Sequence, residues 1–202
     1  MRRLTQPKIV LASHNQGKLR EIQPLLAPFD IACVSAGDLG LEEPEETETS
    51  FAGNARLKAH FAAQAAGLPA LSDDSGICVD GLDGAPGVYT ADWAHTPNGR
   101  DFTMAMTRVW EELEAANAPF PRRALFNCTL CLAWPDGHDE IFTGITPGHV
   151  VWPLRGVHGF GFDPMFQPDG YDQTFGEMLP EQKHPLSHRA DAFKKLVSGC
   201  LS

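Results

Sequence analysis

The sequence reads as an α/β protein of one domain, and three observations lead there. Strand-like apolar runs at 8–12, 31–34 and 124–134 alternate with helical patterns beginning near residues 19, 51 and 101. A length of 202 residues suits one domain, or one domain with a lobe. The composition, 43% hydrophobic and 21% charged, is ordinary for a globular chain and sufficient for a sizeable core. A formal net charge of −10 argues against sequence-independent binding of a nucleic acid polymer, which needs a basic surface. It leaves room for a small anionic ligand held by a few local cations and a metal.

Lys8 to Ala12 reads as a buried first strand. It empties into Ser13-His14-Asn15-Gln16-Gly17-Lys18, followed by a helix with Leu19, Ile22, Leu25 and Leu26 on one face and Pro24 placed to kink or shorten it. A polar loop between a strand and a helix N-terminus is a ready anion site, because free N–H groups and the helix dipole face it. Gly17-Lys18 is not a Walker loop, since Ala12 and Ser13 stand in for its first glycine and Leu19 for its Ser/Thr. Ile31 to Val34 is a second strand, and the acidic run 42–48 a solvated loop. Thr49 or Ser50 then caps a helix that ends at Gly67, and Asn54 and Lys58 lie one turn apart on it.

The centre of the chain is Leu71-Ser72-Asp73-Asp74-Ser75-Gly76, where a short apolar approach ends in two carboxylates, a hydroxyl and a glycine expected to turn the backbone. Neighbouring side chains on an extended segment point to opposite faces, so Asp73 and Asp74 should serve different roles. One can bind metal or water while the other braces the loop. Beyond it come a helix from about Asp101 to Ala116, a strand from Ala124 to Trp134, and the turn Pro135-Asp136-Gly137 into a strand at 140–143. Val150 to Trp152 reads as a further strand. In Gly159-Phe160-Gly161-Phe162-Asp163-Pro164, alternating Gly and Phe suggests either an aromatic surface for a base or a glycine-kinked strand packing its Phe side chains. Ser187 caps a last helix, and Lys183, His188 and Arg189 gather donors at its N-terminus.

Five cysteines, at 33, 78, 128, 131 and 200, have no framework spacing, and Cys128-x-x-Cys131 lacks a second pair for zinc. Free buried thiols in a reducing, cytoplasmic protein are expected. Arg2-Arg3 precedes too short an apolar run for a secretory core, and no stretch approaches transmembrane length.

Taken together, these segments resemble the inosine triphosphate pyrophosphatase (Ham1-like) family of non-canonical purine NTP pyrophosphatases. The resemblance is carried in order by residues 13–18, by Glu45-Glu46-Thr47 leading to Phe51, Asn54 and Lys58, and by 72–76. It continues through Gly84-Ala85-Pro86-Gly87-Val88-Tyr89, 159–164, and Lys183 with Ser187-His188-Arg189. It implies a single elongated α/β domain over 1–202, with a long central mixed sheet flanked by helices and two lobes around a cleft. It further implies a homodimer, and Mg²⁺-dependent hydrolysis of ITP, dITP and XTP to the monophosphate and pyrophosphate that cleanses the nucleotide pool. By the same resemblance Asp74 is the catalytic carboxylate and a metal ligand, with Glu46 rather than Glu45 as the second ligand. Ser13, His14, Asn15, Gln16, Gly17 and Lys18 hold the triphosphate. Ser75, Phe160, Gly161, Phe162, Asp163, Lys183, His188 and Arg189 contact the nucleotide. Donors near Phe162-Asp163, with His188 and Arg189, suit the O6 of hypoxanthine or xanthine. Thr90-Ala91-Asp92 departs from the family's Ser-Ala-Arg, so an acid replaces a cation. A Maf-like pyrophosphatase of modified nucleotides and a catalytically silent nucleotide-binding module are the rival readings.

Overall fold

The computed structural model describes residues 1–14 and 16–201, with the side chains of 16, 17, 20 and 21 outside that description. Strand β1 (Lys8–Leu11) pairs in parallel with β2 (Ala32–Ser35) and with β3 (Ala70–Val79). With β6 (Arg123–Ala133), β7 (Asp139–Val150) and β8 (Phe166–Pro168) they form a six-stranded mixed sheet in the order β2-β1-β3-β6-β7-β8. Helices α1 (Gln16–Leu26), α2 (Phe51–Ala66), α3 (Phe102–Ala115), the single turn α4 (Pro180–Lys183) and α5 (His188–Leu196) complete it, with a two-strand ribbon of β4 (His95–Thr96) and β5 (Gly99–Arg100). Among the described residues no helix is long and apolar enough to cross a membrane.

The chain divides into two compact units. The first holds residues 1–74, 129–143 and 192–202. Its core sets Val10, Ala70, Cys131 and Ala133 against Ala55, Ala59, Ala62 and Ala63 of α2. Small side chains on that helix face allow its backbone to lie close to the strands, while Ser50 starts the helix by accepting from the Gly53 N–H at 3.1 Å. The helix stops at Gly67, as the sequence predicts. Helix α1 runs two residues beyond Pro24 before tightening into a 3₁₀ turn. Ile22 and Leu26 are buried, whereas Leu25 is exposed.

The second unit holds residues 75–128 and 144–191. Ala105, Met106, Val109 and Leu113 of α3 pack into a core with Ile77, Phe126, Phe162, Phe166 and Phe175. Asp101 caps α3 through the Met104 N–H.

Two expectations are corrected. The stretch around Asp73-Asp74 is no loop: β3 continues through it for ten residues, and Gly76 lies in the strand rather than at a turn. The strand expected at 140–143 runs unbroken to Val150 as β7, its burial alternating from Phe142 onward, and Val151 and Trp152, expected as strand, lie beyond its end. Gly144 and Gly148 take buried positions in that alternation, and a Cβ on Gly148 would collide with the Gln167 carbonyl of the neighbouring β8. Glycine therefore serves close strand approach here rather than a break.

Gly156 combines a φ of +88° with a backbone approach to Gly176 that leaves no room for a Cβ. Gly170 has a φ of +83° but open space around it. Gly156→Ala is therefore expected to cost about 2 kcal/mol or more, from strain plus overlap, lowering Tm by roughly 4–8 °C or more. Gly170→Ala should cost about 1 kcal/mol. Thermal unfolding of the two variants checks this, and equal losses would refute the steric account.

Candidate functional site

In the first unit, the alternation of β3 sends its two adjacent carboxylates to different partners. Asp73 receives Lys18 Nζ of α1 at 2.6 Å, and that ammonium also reaches the Asp73 carbonyl at 3.3 Å. Asp74 Oδ1 receives Lys58 Nζ of α2 at 2.8 Å, and Lys58 also donates to Glu46 Oε1 at 2.6 Å. Both Asp side chains and Lys58 are buried, while Glu46 is 42% exposed. Asn54, one turn before Lys58, accepts the Glu48 N–H at 3.0 Å and so fixes the acidic loop against α2. Ser72 ties β3 to the same helix by donating to the Ala55 carbonyl at 2.6 Å.

Burial pushes the Asp74 carboxyl up to about 6, against the pull of Lys58 and with a further push from Glu46. Burial alone would lower Lys58, but Asp74 and Glu46 outweigh it and hold the ammonium above its ordinary value. Asp74 thus sits where a carboxylate can accept a proton near neutral pH. Its second oxygen, Oδ2, is buried with no hydrogen-bond partner among the described residues. A buried, unbonded carboxylate oxygen is costly unless a ligand reaches it.

Among the described residues no group of three or more His, Cys, Asp or Glu is arranged to hold a metal. Asp74 and Glu46 nevertheless fit Mg²⁺, which takes one or two carboxylates and completes its shell with water and substrate phosphates. Of the predicted phosphate loop, Ser13 follows β1 with its N–H on the Leu11 carbonyl. The His14 ring turns to the Leu41 carbonyl at 2.7 Å. Asn15, and the side-chain positions of Gln16 and Gly17, lie outside the described residues.

In the second unit, Asp163 lies in a tight turn. Its Oδ2 accepts Lys183 Nζ at 2.5 Å and the Phe160 N–H at 2.7 Å. Burial pushes its carboxyl up, opposed by Lys183 and, more weakly, by Arg189. The Asp163 N–H donates to the Phe160 carbonyl at 3.3 Å, so this predicted base donor is used within the turn. Gly161 separates two phenylalanines of opposite fate. Phe160 is 58% exposed beneath Lys183, whose ammonium lies 4.7 Å from its ring centroid. Phe162 is buried edge-on to Phe102. His188 and Arg189 open α5, with Ser187 accepting the Ala190 N–H at 3.1 Å, and both are largely buried. Ser75 lies part-buried on β3. A cleft of ≈ 720 Å³ opens beside Phe160 and Gly161, lined also by Arg100, Phe102 and His158. Near the departure at Asp92, Trp93 carries the Arg108 guanidinium 3.7 Å from its ring, so a cation is supplied there by α3.

Sequence reading placed Lys58 on the right helix face without giving it a site role, and left Asp73 without a partner. Helical spacing of Asn54 and Lys58 was the available signal. The pairing of Asp73 with Lys18 had none, because it joins residues 55 apart.

A mixed α/β fold with a buried acid–lysine cluster on a central strand is the class these features define. The chain belongs to the Ham1 family, which residues 9–199 match. It is 64% identical over 192 residues to a dITP/XTP pyrophosphatase of Ruegeria pomeroyi, covering 95% of this chain and 94% of that one. It is 56% identical to a dITP/XTP pyrophosphatase of Agrobacterium fabrum, over 100% and 99% of the two chains. Its fold is similar to a HAM1 protein from Coxiella burnetii, with a TM-score of 0.89 at 36% identity over 95% and 96% of the chains. The Staphylococcus aureus Ham1 protein gives a TM-score of 0.85 at 31% identity, with the same coverage.

Lys58→Met removes the cation that two carboxylates share. Breaking a buried pair costs roughly 3–5 kcal/mol, and the exposure of Glu46 puts this case at the low end. A carboxyl whose folded pKa lies above its ordinary 3.8 binds more protons folded than unfolded, so it loses stability as pH rises. Without Lys58 that pKa rises further. The deficit of Lys58→Met relative to wild type should therefore be smallest near pH 5 and grow through pH 6 to 8. Urea denaturation at three pH values measures it, and a pH-independent deficit would contradict the buried-pair account.

Proposed function

We propose that this protein hydrolyses non-canonical purine nucleoside triphosphates (ITP, dITP and XTP) to the nucleoside monophosphate and pyrophosphate, with Mg²⁺. The observation that carries the reading is the Asp74–Lys58–Glu46 cluster, buried at Asp74 and Lys58, with an Asp74 oxygen that has no partner among the described residues. The naming of relatives at 64% and 56% identity as dITP/XTP pyrophosphatases supports the same substrate class. Asp74 takes a proton from the attacking water as its oxygen bonds to the α-phosphorus. The α–β bridging P–O bond then breaks, and pyrophosphate leaves with the electron pair. Lys18 meets the negative charge moving onto that leaving group. Lys58 keeps Asp74 and Glu46 aligned and screens their repulsion. A bound Mg²⁺, held by Asp74 and Glu46, would supply Lewis-acid stabilisation of phosphate charge.

In the second unit, Phe160 offers an exposed ring for base stacking, and His188, Arg189 and Lys183 supply donors to a base edge bearing O6. A site built around such donors rejects adenine because they would be left unpaired. We also infer a cytoplasmic homodimer, a reading supported by the five free thiols and by two exposed rings, Trp152, which stacks on Trp110, and Phe120, which lies tilted against it.

Pyrophosphate release from ITP, XTP, GTP, ATP and TTP, with and without Mg²⁺, tests this reading. Turnover should depend on the metal and favour ITP and XTP, and Asp74→Asn should lower kcat by about 10²–10⁴. Binding of ITP without hydrolysis would instead indicate a silent module.

Metal and proton compete for Asp74, so Mg²⁺ affinity should weaken as pH falls through about 6, with uptake of one proton as the ion leaves. Calorimetric titration of Mg²⁺ at pH 5.5 and 7.5 reads this directly. Equal affinities would remove Asp74 from the ligand set.

A further inference from the structure

In the second unit three flat rings lie nearly parallel. Phe126 of β6 stacks on the His188 imidazole at 4.9 Å between centroids and 13° between planes. Its relation to Phe175 is also close to parallel, at 6.0 Å and 14°. Phe166 closes the edge of Phe126 at 4.6 Å and 62°, so Phe126 cannot easily rotate. Phe175 lies in turn below the Lys183 ammonium, 5.4 Å from its centroid. The backbone end of His188 is set independently, by the Ser187 cap at the start of α5 and by Thr146, which donates to the Leu186 carbonyl at 2.9 Å.

An aliphatic residue at position 126 could fill the same volume, but it could not set a plane. The two nitrogens of an imidazole direct their hydrogen bonds within the ring plane, so the stack decides where His188 can reach. A purine edge is equally planar, and a bond to it needs the ring tilt held within a few tens of degrees. A chain of packed rings thus runs from the Lys183 ammonium to the His188 imidazole, with Phe126 at its centre.

We propose that Phe126 is a positioning residue for base recognition, acting through the plane it imposes on His188. The proposal rests on the reading of His188 as a nucleotide contact. It touches no substrate itself, and its loss should appear in binding and base preference rather than in the chemical step.

The test is a double-mutant cycle of Phe126→Leu and His188→Asn, reading kcat and KM for ITP and GTP with Mg²⁺. Phe126→Leu should raise KM for ITP about tenfold, change kcat less than about twofold, and shrink the ITP-over-GTP preference. In the His188→Asn background the same change should alter KM less than about twofold. Phe126→Tyr, which keeps a flat face, should retain the wild-type KM. A tenfold loss in both backgrounds, or a loss confined to kcat, would overturn the proposal. If His188→Asn leaves KM unchanged for both nucleotides while Phe126→Leu still raises it, the nucleotide role of His188 falls and the proposal with it. Should Phe126→Leu not fold, Phe126→Met replaces it in the cycle. An NMR readout then accompanies it: the upfield ring-current shift of the His188 protons, expected in wild type, should be lost in the variant. Its retention would overturn the proposal.

Discussion

The first unit depends on one buried ammonium. Lys58 sits in the core side of α2, where an unpaired lysine would lose its proton or unfold the helix from the strands. Asp74 and Glu46 hold it charged, and it in turn keeps two carboxylates within one hydrogen-bond length of a common point. Much of the surrounding sequence can be understood as the means of placing that group. The alanine face of α2 brings the helix backbone close enough for a lysine to reach β3 while remaining buried. Ser72 fastens strand to helix next to the cluster, and Asn54 fastens the loop that carries Glu46.

Cost and capability meet in Asp74. A carboxyl buried beside another carboxylate resists ionisation, which is why burial and Glu46 act together to raise it. The same environment gives it the basicity to take a proton from water near neutral pH, which a solvated aspartate does poorly. Lys58 limits the shift, so the group is still largely ionised at pH 7. The packed alanine core of the same unit offsets the cost of burying this carboxyl.

Much of this was legible in the chain because it is local. The Ser50 cap, the stop at Gly67 and the start of α3 near Asp101 follow from spacing within a single turn or element. The opposite facing of Asp73 and Asp74 follows from strand periodicity, and the free thiols from cysteine spacing. What escaped is non-local. The stretch at 72–76 has the residues of a loop, and only burial between other strands makes it strand interior. Gly144, Pro147 and Gly148 look like a break in β7, yet Gly148 lies against β8 with no room for a Cβ, and β8 was not anticipated. The equal sequence status of Phe160 and Phe162 also misleads. Gly161 at positive φ turns the chain between them, leaving one ring exposed and the other in the core.

The two units solve a common problem in different ways. In the first, adjacent carboxylates of one strand each hold a lysine from a different helix, Lys18 on Asp73 and Lys58 on Asp74. In the second, a single carboxylate, Asp163, gathers Lys183 and a backbone N–H, and aromatic faces rather than further charges surround the cation. Charge pairing leaves groups that can exchange partners as charge moves. Stacked rings set planes without contributing charge of their own. Asp-Lys pairs in the first unit and ring stacks in the second are thus two ways of holding a lysine ammonium away from water.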